Sequence, residues 1–186
     1  MQPWLGTYVE IAAYADDRRQ ADLAVDAAFD AVRLAHGRWS FHDSGSELSK
    51  LNREPGVRVA VSKPTSRLLR LAKVMMQASG GAFDVTMGGL LVEANRLPDH
   101  GGTACLRRGR AEDIELGHGW VQLARPVRLT LDGIAKGYAV DLAIGALQRA
   151  GARRGWVNAG GDLRAFGDVT LPLHLRTDGG HLAPAG

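Results

Sequence analysis

Residues 127–167 read VRLTLDGIAKGYAVDLAIGALQRAGARRGWVNAGGDLRAFG, and the reading of this stretch decides the fold. Residues 127–131 alternate apolar and polar side chains, the period of a half-buried strand. Asp132-Gly133 is a turn signal, and 134–150 carries helical spacing that Gly151 is placed to terminate. A second strand over 155–159 then runs into Gly160-Gly161-Asp162. The order is strand, glycine turn, helix, strand, glycine turn, and both turns leave backbone bare enough for a ligand to approach closely. Lys136 falls in the first helical turn, where a cation opposes the macrodipole unless an anion lies between them. That is the arrangement of a phosphate site. Each part also has an ordinary reading, since Asp-Gly makes hairpin turns, first-turn lysines are often solvated and Gly-Gly-Asp ends strands. The P-loop is excluded because no Ser or Thr follows the lysine and the glycine spacing is wrong, and the Rossmann fingerprint Gly-x-Gly-x-x-Gly is absent.

Upstream of this stretch, Leu5-Gly6-Thr7 leads into residues 8–12, which alternate as a strand with Val9 and Ile11 on one face. Residues 20–37 form a helix on the spacing of Val25, Phe29, Val32, His36 and Trp39, with His36 read as a packed core-edge histidine. Ser44 and Glu47 have the form of a capping box that starts a helix, which leaves His42 and Asp43 unexplained. Residues 57–61 read as a short strand, and Ser62 with Pro64 opens another helix whose buried side is expected to hold Leu68, Leu69, Ala72, Met75 and Met76. Asp84 then lies between glycine pairs, either near a ligand or as a cap for the next element. Residues 95–115 read as loop, with His100 beside Asp99 lacking a partner motif. Residues 120–123 and 127–131, joined by Arg125-Pro126, are expected to form an antiparallel hairpin.

The 186 residues, 45% hydrophobic and 23% charged, suit one globular domain with a real core. The net charge is only +3 and no lysine-rich run accompanies it, so nucleic acid is not expected as a partner; Arg107-Arg108-Gly109-Arg110 reads as a solvated loop. The single Cys105 excludes an internal disulfide and a cysteine metal cluster. There is no transmembrane run and no signal peptide, so as written the chain is expected to be cytoplasmic.

Five ordered motifs then carry a resemblance. They are Leu-Gly-Thr at 5–7, Ser-Glu-Leu-Ser-x-Leu-Asn at 46–52, Gly-Ala-Phe-Asp-Val-Thr at 81–86, Gly-Ile-Ala-Lys-Gly-Tyr-Ala-Val-Asp at 133–141 and Asn-Ala-Gly-Gly-Asp-Leu-Arg at 158–164. Together they resemble the ApbE family, the FAD:protein FMN transferases once described as thiamine-biosynthesis lipoproteins. The resemblance implies an α+β fold, a mixed or antiparallel sheet with packed helices, in which residues 1–186 are a single domain lacking the family's C-terminal part. It also implies binding of FAD and Mg2+-dependent transfer of FMN to a Thr or Ser hydroxyl of an acceptor flavoprotein, releasing AMP. The alternative is a non-catalytic FAD-binding module or inactive fragment. Carried over by position, Leu5, His42, Ala82, Phe83, Asp84, Thr130, Lys136 and Asp162 would contact FAD, and the Gly133 carbonyl would be a Mg2+ ligand. The family often has Met at Leu5, Tyr at His42 and Asp at Thr130; the last difference removes a carboxylate that Asp132 could replace only in a rearranged turn. Family members are often exported lipoproteins, and their late Asp with a nearby Thr or Ser, which completes the metal site, has no match in residues 171–186. His181 in that tail is expected to be flexible.

Overall fold

The computed structural model describes residues 1–101, 104–172, 174–176 and 182–184; His181 and the expectation attached to it lie outside them. Strand β1 (Gln2–Trp4) turns back into β2 (Thr7–Tyr14) through Leu5 and Gly6, both at positive φ, +55° and +71°. β2 pairs antiparallel with β6 (Arg154–Ala159), Val9 opposite Ala159, and β6 pairs antiparallel with β7 (Asp162–Phe166). The sheet order β1-β2-β6-β7 therefore places the start of the chain beside strands from its far end.

Helices α1 (Arg18–Trp39) and α5 (Ala135–Arg149) cover one face of this sheet. α1 begins where the Asp17 carboxylate accepts the Gln20 amide proton, and its buried stripe is Ala24, Ala28, Phe29, Val32, Ala35 and Trp39. Facing it, α5 buries Ala139, Val140, Ala143, Ile144, Ala146 and Leu147. Alanines on both stripes let the helix axes approach closely, while Val9, Val157 and Ala159 fill the space beneath the sheet.

A second cluster is assembled from one long helix, α3 (Lys63–Ala78), and shorter pieces: α2 (Glu47–Arg53), β3 (Val59–Ala60), α4 (Gly88–Glu93), a 3-10 turn at Ala111–Asp113, β4 (Ile114–Leu116) and β5 (Trp120–Leu123). β5 lies between β3 and β4, and Leu48, Leu51, Leu68, Leu69, Ile114, Leu123, Leu129 and Leu131 pack beneath them. β8 (His174–Arg176) and β9 (Leu182–Pro184) form a separate antiparallel pair.

Three expectations are corrected. Residues 127–131 are neither strand nor hairpin partner: all five are buried, and the segment is held by two parallel bridges, Val127 to Leu106 and Arg128 to Met87, by the Thr130 amide donating to the Val85 carbonyl, and by the Asn52 side chain, which meets both the amide and the carbonyl of Leu129. β5 is already paired on both sides by β3 and β4, so no edge remains for them. The α2 cap is Ser46, whose hydroxyl accepts from the Ser49 amide; Glu47 instead accepts from the amide and hydroxyl of Ser62, tying α2 to the cap of α3. Met75 lies on the outer side of α3, 37% exposed, because one residue's step around the helix, about 100°, separates it from the buried Met76.

Candidate functional site

α5 starts without a side-chain cap and without an acidic residue in its first turn, so its N-terminal positive end is uncompensated by its own sequence. Lys136 adds a cation there. Its Nζ lies 3.9 Å from an Asp162 carboxylate oxygen, with both side chains partly exposed. Asp162 is brought to this place by the β6–β7 turn. Gly160 and Gly161 both take positive φ, and the Asn158 side-chain oxygen accepts the Gly161 amide proton at 3.0 Å. One step further along the same faces, Arg164 of β7 pairs with Asp141 of α5, so two partly exposed cross-pairs of opposite sense link β7 to the helix, while the ladder with β6 sets the register of β7.

In front of Lys136 opens a cavity of about 610 Å³. One wall is Asp132, Ala135 and Lys136; the other is Trp39, Phe41, His42 and Asp43 at the end of α1, with Leu5 and Gly6 from the β1–β2 turn closing the side. Leu5 holds a left-handed backbone that costs a residue with a Cβ about 1 kcal/mol, at a place that faces the cavity. Asp43 shapes its loop by accepting the Gly45 amide proton. The ring wall is braced from behind: Trp39 donates its indole N–H to the Thr65 hydroxyl at 2.9 Å and tilts against Tyr138 of α5, and the His100 ring stacks on Phe41 while its Nε2 meets the Phe41 carbonyl at 2.7 Å. His100 thus supports a wall, and Asp99 beside it accepts the Gly101 amide proton and binds Arg128, which together hold its carboxyl below the usual range.

Leu5, His42 and Lys136 share the cavity, and Asp162 reaches its lysine. Phe83 reaches the site from behind, its ring so close to Gly133 that a Cβ there would stand 3.3 Å from it. The 81–84 and 133–137 segments are therefore neighbours. Ala82 is exposed and its amide donates to the Ser79 carbonyl. Thr130 is buried, its hydroxyl weakly accepting the Asp132 amide at 3.5 Å. Asp84 does not line this cavity. One of its carboxylate oxygens accepts from the Thr86 amide and hydroxyl, the other is forked by Arg108, and Thr86 in turn accepts from the Gly109 amide. Asp84 thereby pins the 104–110 loop, on the wall of a separate cleft of about 330 Å³ between the end of α3 and Arg108, Arg110 and Glu112. Sequence reasoning passed over Trp39 and Phe41 because their signal, an apolar stripe at the end of a helix, is also that of core.

A metal would need oxygen donors gathered at the turn. Among the described residues no group of three or more His, Cys, Asp or Glu side chains could hold one. Thr130, Asp132 and the Gly133 carbonyl fall short of the about six oxygens that magnesium takes, so these residues do not make a magnesium site by themselves.

Fold and site together define an α+β protein, antiparallel sheet against helices, with an open cavity between a ring-lined wall and a cationic helix start. The sequence model of the ApbE family matches residues 5–175, and the chain belongs to that family. An FAD:protein FMN transferase of Rhodobacter capsulatus is 30% identical over 176 residues, 88% of this chain and 34% of that protein. A protein of the same description from Klebsiella pneumoniae is 25% identical, over 91% of this chain and 56% of its own length. The chain thus spans about a third and about half of these relatives. The crystal structure of the ApbE protein of Thermotoga maritima superposes with a TM-score of 0.77 at 26% identity, covering 94% of this chain and 60% of the other. The flavin transferase ApbE of Vibrio cholerae, at 20% identity and a TM-score of 0.81, shares the fold over 99% of this chain and 65% of its own.

Proposed function

We propose that this chain, acting as a single ApbE-type domain, binds FAD as the flavin-holding part of an FAD:protein FMN transferase. The observation that carries the reading is the position of Lys136: a cation on an uncapped helix start, opening onto a cavity large enough for a flavin and walled by aromatic and imidazole rings. The diphosphate of FAD would lie against the Lys136 ammonium and the α5 amides, displacing Asp162 as the lysine's partner. The flavin would face His42 and the wall that Trp39 and Phe41 support. Phe83 against Gly133 keeps the glycine turn in place, and Leu5 closes the side. Ala82 and Asp84 contribute through backbone and loop placement rather than a carboxylate aimed into the cavity. Thr130 holds the turn ahead of Gly133.

In the proposed transfer, a Thr or Ser hydroxyl oxygen of an acceptor flavoprotein attacks the FMN phosphorus. The bond from that phosphorus to the bridging oxygen breaks, AMP leaves with that oxygen, and the hydroxyl proton is given up to the medium. What this chain does is bind and orient: one ammonium and one helix end offset the charge of the diphosphate as it is divided. Mg2+ is proposed as the co-reactant that would supply further charge neutralisation. The Gly133 carbonyl is the position in this chain proposed to meet it, with the remaining ligands from outside the described residues.

The absence of a metal-holding group among the described residues favours a second reading, an FAD-binding module without catalysis. Incubation with FAD, Mg2+ and an acceptor flavoprotein separates the two. Covalent flavin fluorescence on the denatured acceptor supports transfer; tight FAD binding without labelling supports the module. Failure to bind FAD rejects both. Lys136→Ala is expected to weaken FAD binding by about 1–3 kcal/mol, the scale of a charge-assisted contact.

A further inference from the structure

α3 carries a feature that the flavin cavity does not use. Its sequence KPTSRLLRLAKVMMQA holds four cations and no carboxylate. The inward side is accounted for by Leu68, Leu69, Ala72 and Met76 in the core, and Lys73 is drawn in by donating to the Ile114 carbonyl. The outward side is apolar as well. Leu71, Val74 and Met75 are 41%, 56% and 37% exposed, at the i, i+3, i+4 spacing that makes one continuous stripe. Lys63, Arg67 and Arg70 border it, all exposed, and none of them joins an ion pair among the described residues.

We infer that the outer face of α3 docks this protein onto an anionic phospholipid surface. An apolar stripe bordered by unpaired cations is what settles at the headgroup boundary, with the stripe in the upper acyl region and the cations on lipid phosphates. Two arginines suit that contact because a guanidinium forks a phosphate's oxygens and is weakly hydrated. The other occupants fit less well. A second copy meeting this face across a two-fold axis would set the cations of one α3 against those of the other. A protein partner would have to be held by three apolar side chains on a convex helix, far short of the ~800 Å² per partner of a stable interface. The described cavities lie elsewhere, the nearest beginning at Met76 at the far end of the helix.

The test is co-sedimentation of the full chain with phosphatidylcholine vesicles, with and without phosphatidylglycerol, at physiological ionic strength. Binding to the anionic vesicles is expected to exceed that to the neutral ones by about tenfold or more, and to fall as salt rises. Arg67→Glu/Arg70→Glu is expected to lose about tenfold of it, and Val74→Ser several-fold. Leu163→Ser, on the exposed outer face of the four-stranded sheet, serves as control and is expected to bind as the parent does. All changed side chains are solvent-facing, and unaltered thermal midpoints verify that the variants are folded. Equal binding to both vesicle types, no binding to either, or indifference to the charge reversal each overturns the proposal. Capture of an acidic protein without vesicle binding also overturns it.

Discussion

The two apolar clusters are held together by different means. Beneath the four-stranded sheet, long helices and long strands bury only hydrocarbon: Val9, Phe29, Val32, Val140, Ile144, Leu147 and Val157 meet there. The other cluster, apart from α3, is made of short elements and loops, and all seven buried polar or charged side chains among the described residues lie in its segments: Ser46, Ser49, Thr65, Thr86, Asp113, Arg128 and Thr130. Asn52 takes both the amide proton and the carbonyl of Leu129, Thr86 holds Gly109, and Asp113 is forked by Arg125. Long periodic elements satisfy their own backbone, so packing alone suffices. Short ones leave amides and carbonyls over, and buried side chains meet them, the Ser49 hydroxyl being the exception with no partner among the described residues. The cavity lies where the two regimes join, with one wall from α5 and the other from the segment after α1.

That contrast can be broken at either end. The largest effect is expected from Leu147→Ala, fully buried under the sheet, at about 3–5 kcal/mol of unfolding free energy in denaturant titration. A loss below about 1 kcal/mol would mean that this region collapses around cavities and is not packed as described. Asn52→Ala should cost about 2–3 kcal/mol, because a buried amide and carbonyl of the 127–131 segment both lose their partner. Asn52→Asp keeps the acceptor for the Leu129 amide but sets a carboxylate oxygen against the Leu129 carbonyl, and is expected to be no milder than Asn52→Ala at neutral pH. Thr65→Val, which leaves the Trp39 indole N–H unpaired in the core, is expected to cost about 1–2 kcal/mol and to shift tryptophan fluorescence. No change in either would remove Thr65 from the brace behind the ring wall.

The smallest effect expected is in acid. The hydrogen bonds from Arg125 hold the Asp113 carboxyl below its ordinary 3.8, against the upward push of burial. A depressed folded pKa gives stability that is present above the ordinary value and lost as pH falls through the folded one. The difference in stability between parent and Asp113→Asn should therefore be full at neutral pH and shrink below about pH 4. Arg125 is half exposed, so solvent screens the pair and the difference stays modest. A difference that stays constant with pH would show that Asp113 acts by shape alone.

The helices were legible because their period repeats: 20–37 lies within α1, 134–150 brackets α5, and Ser62 is the cap of α3. The glycine turn at 160–161 was legible because positive φ has few tenants. Residues 127–131 misled because alternation counts apolar residues and is blind to Arg128 and Thr130 being buried on polar partners. Ser44 fitted a capping box by spacing, but Ser46 holds the geometry, since the turn made by Asp43 sets where the helix begins. At the site, the position of Lys136 could be read from its place after Asp-Gly. Asp84 could not, because its partner Arg108 is distant in sequence and their pairing turns the carboxylate into the neighbouring cleft.

By itself the sequence determined the local steps: which segments coil, where glycine reverses them, and that a cation opens α5. Those follow from periodicity and backbone sterics within a few residues. Only the tertiary structure decided that β2 lies between β1 and β6, that Met75 faces outward, and that the end of α1 stands opposite Lys136 across an open cavity. These depend on which distant surfaces exclude water together, a quantity no local window contains.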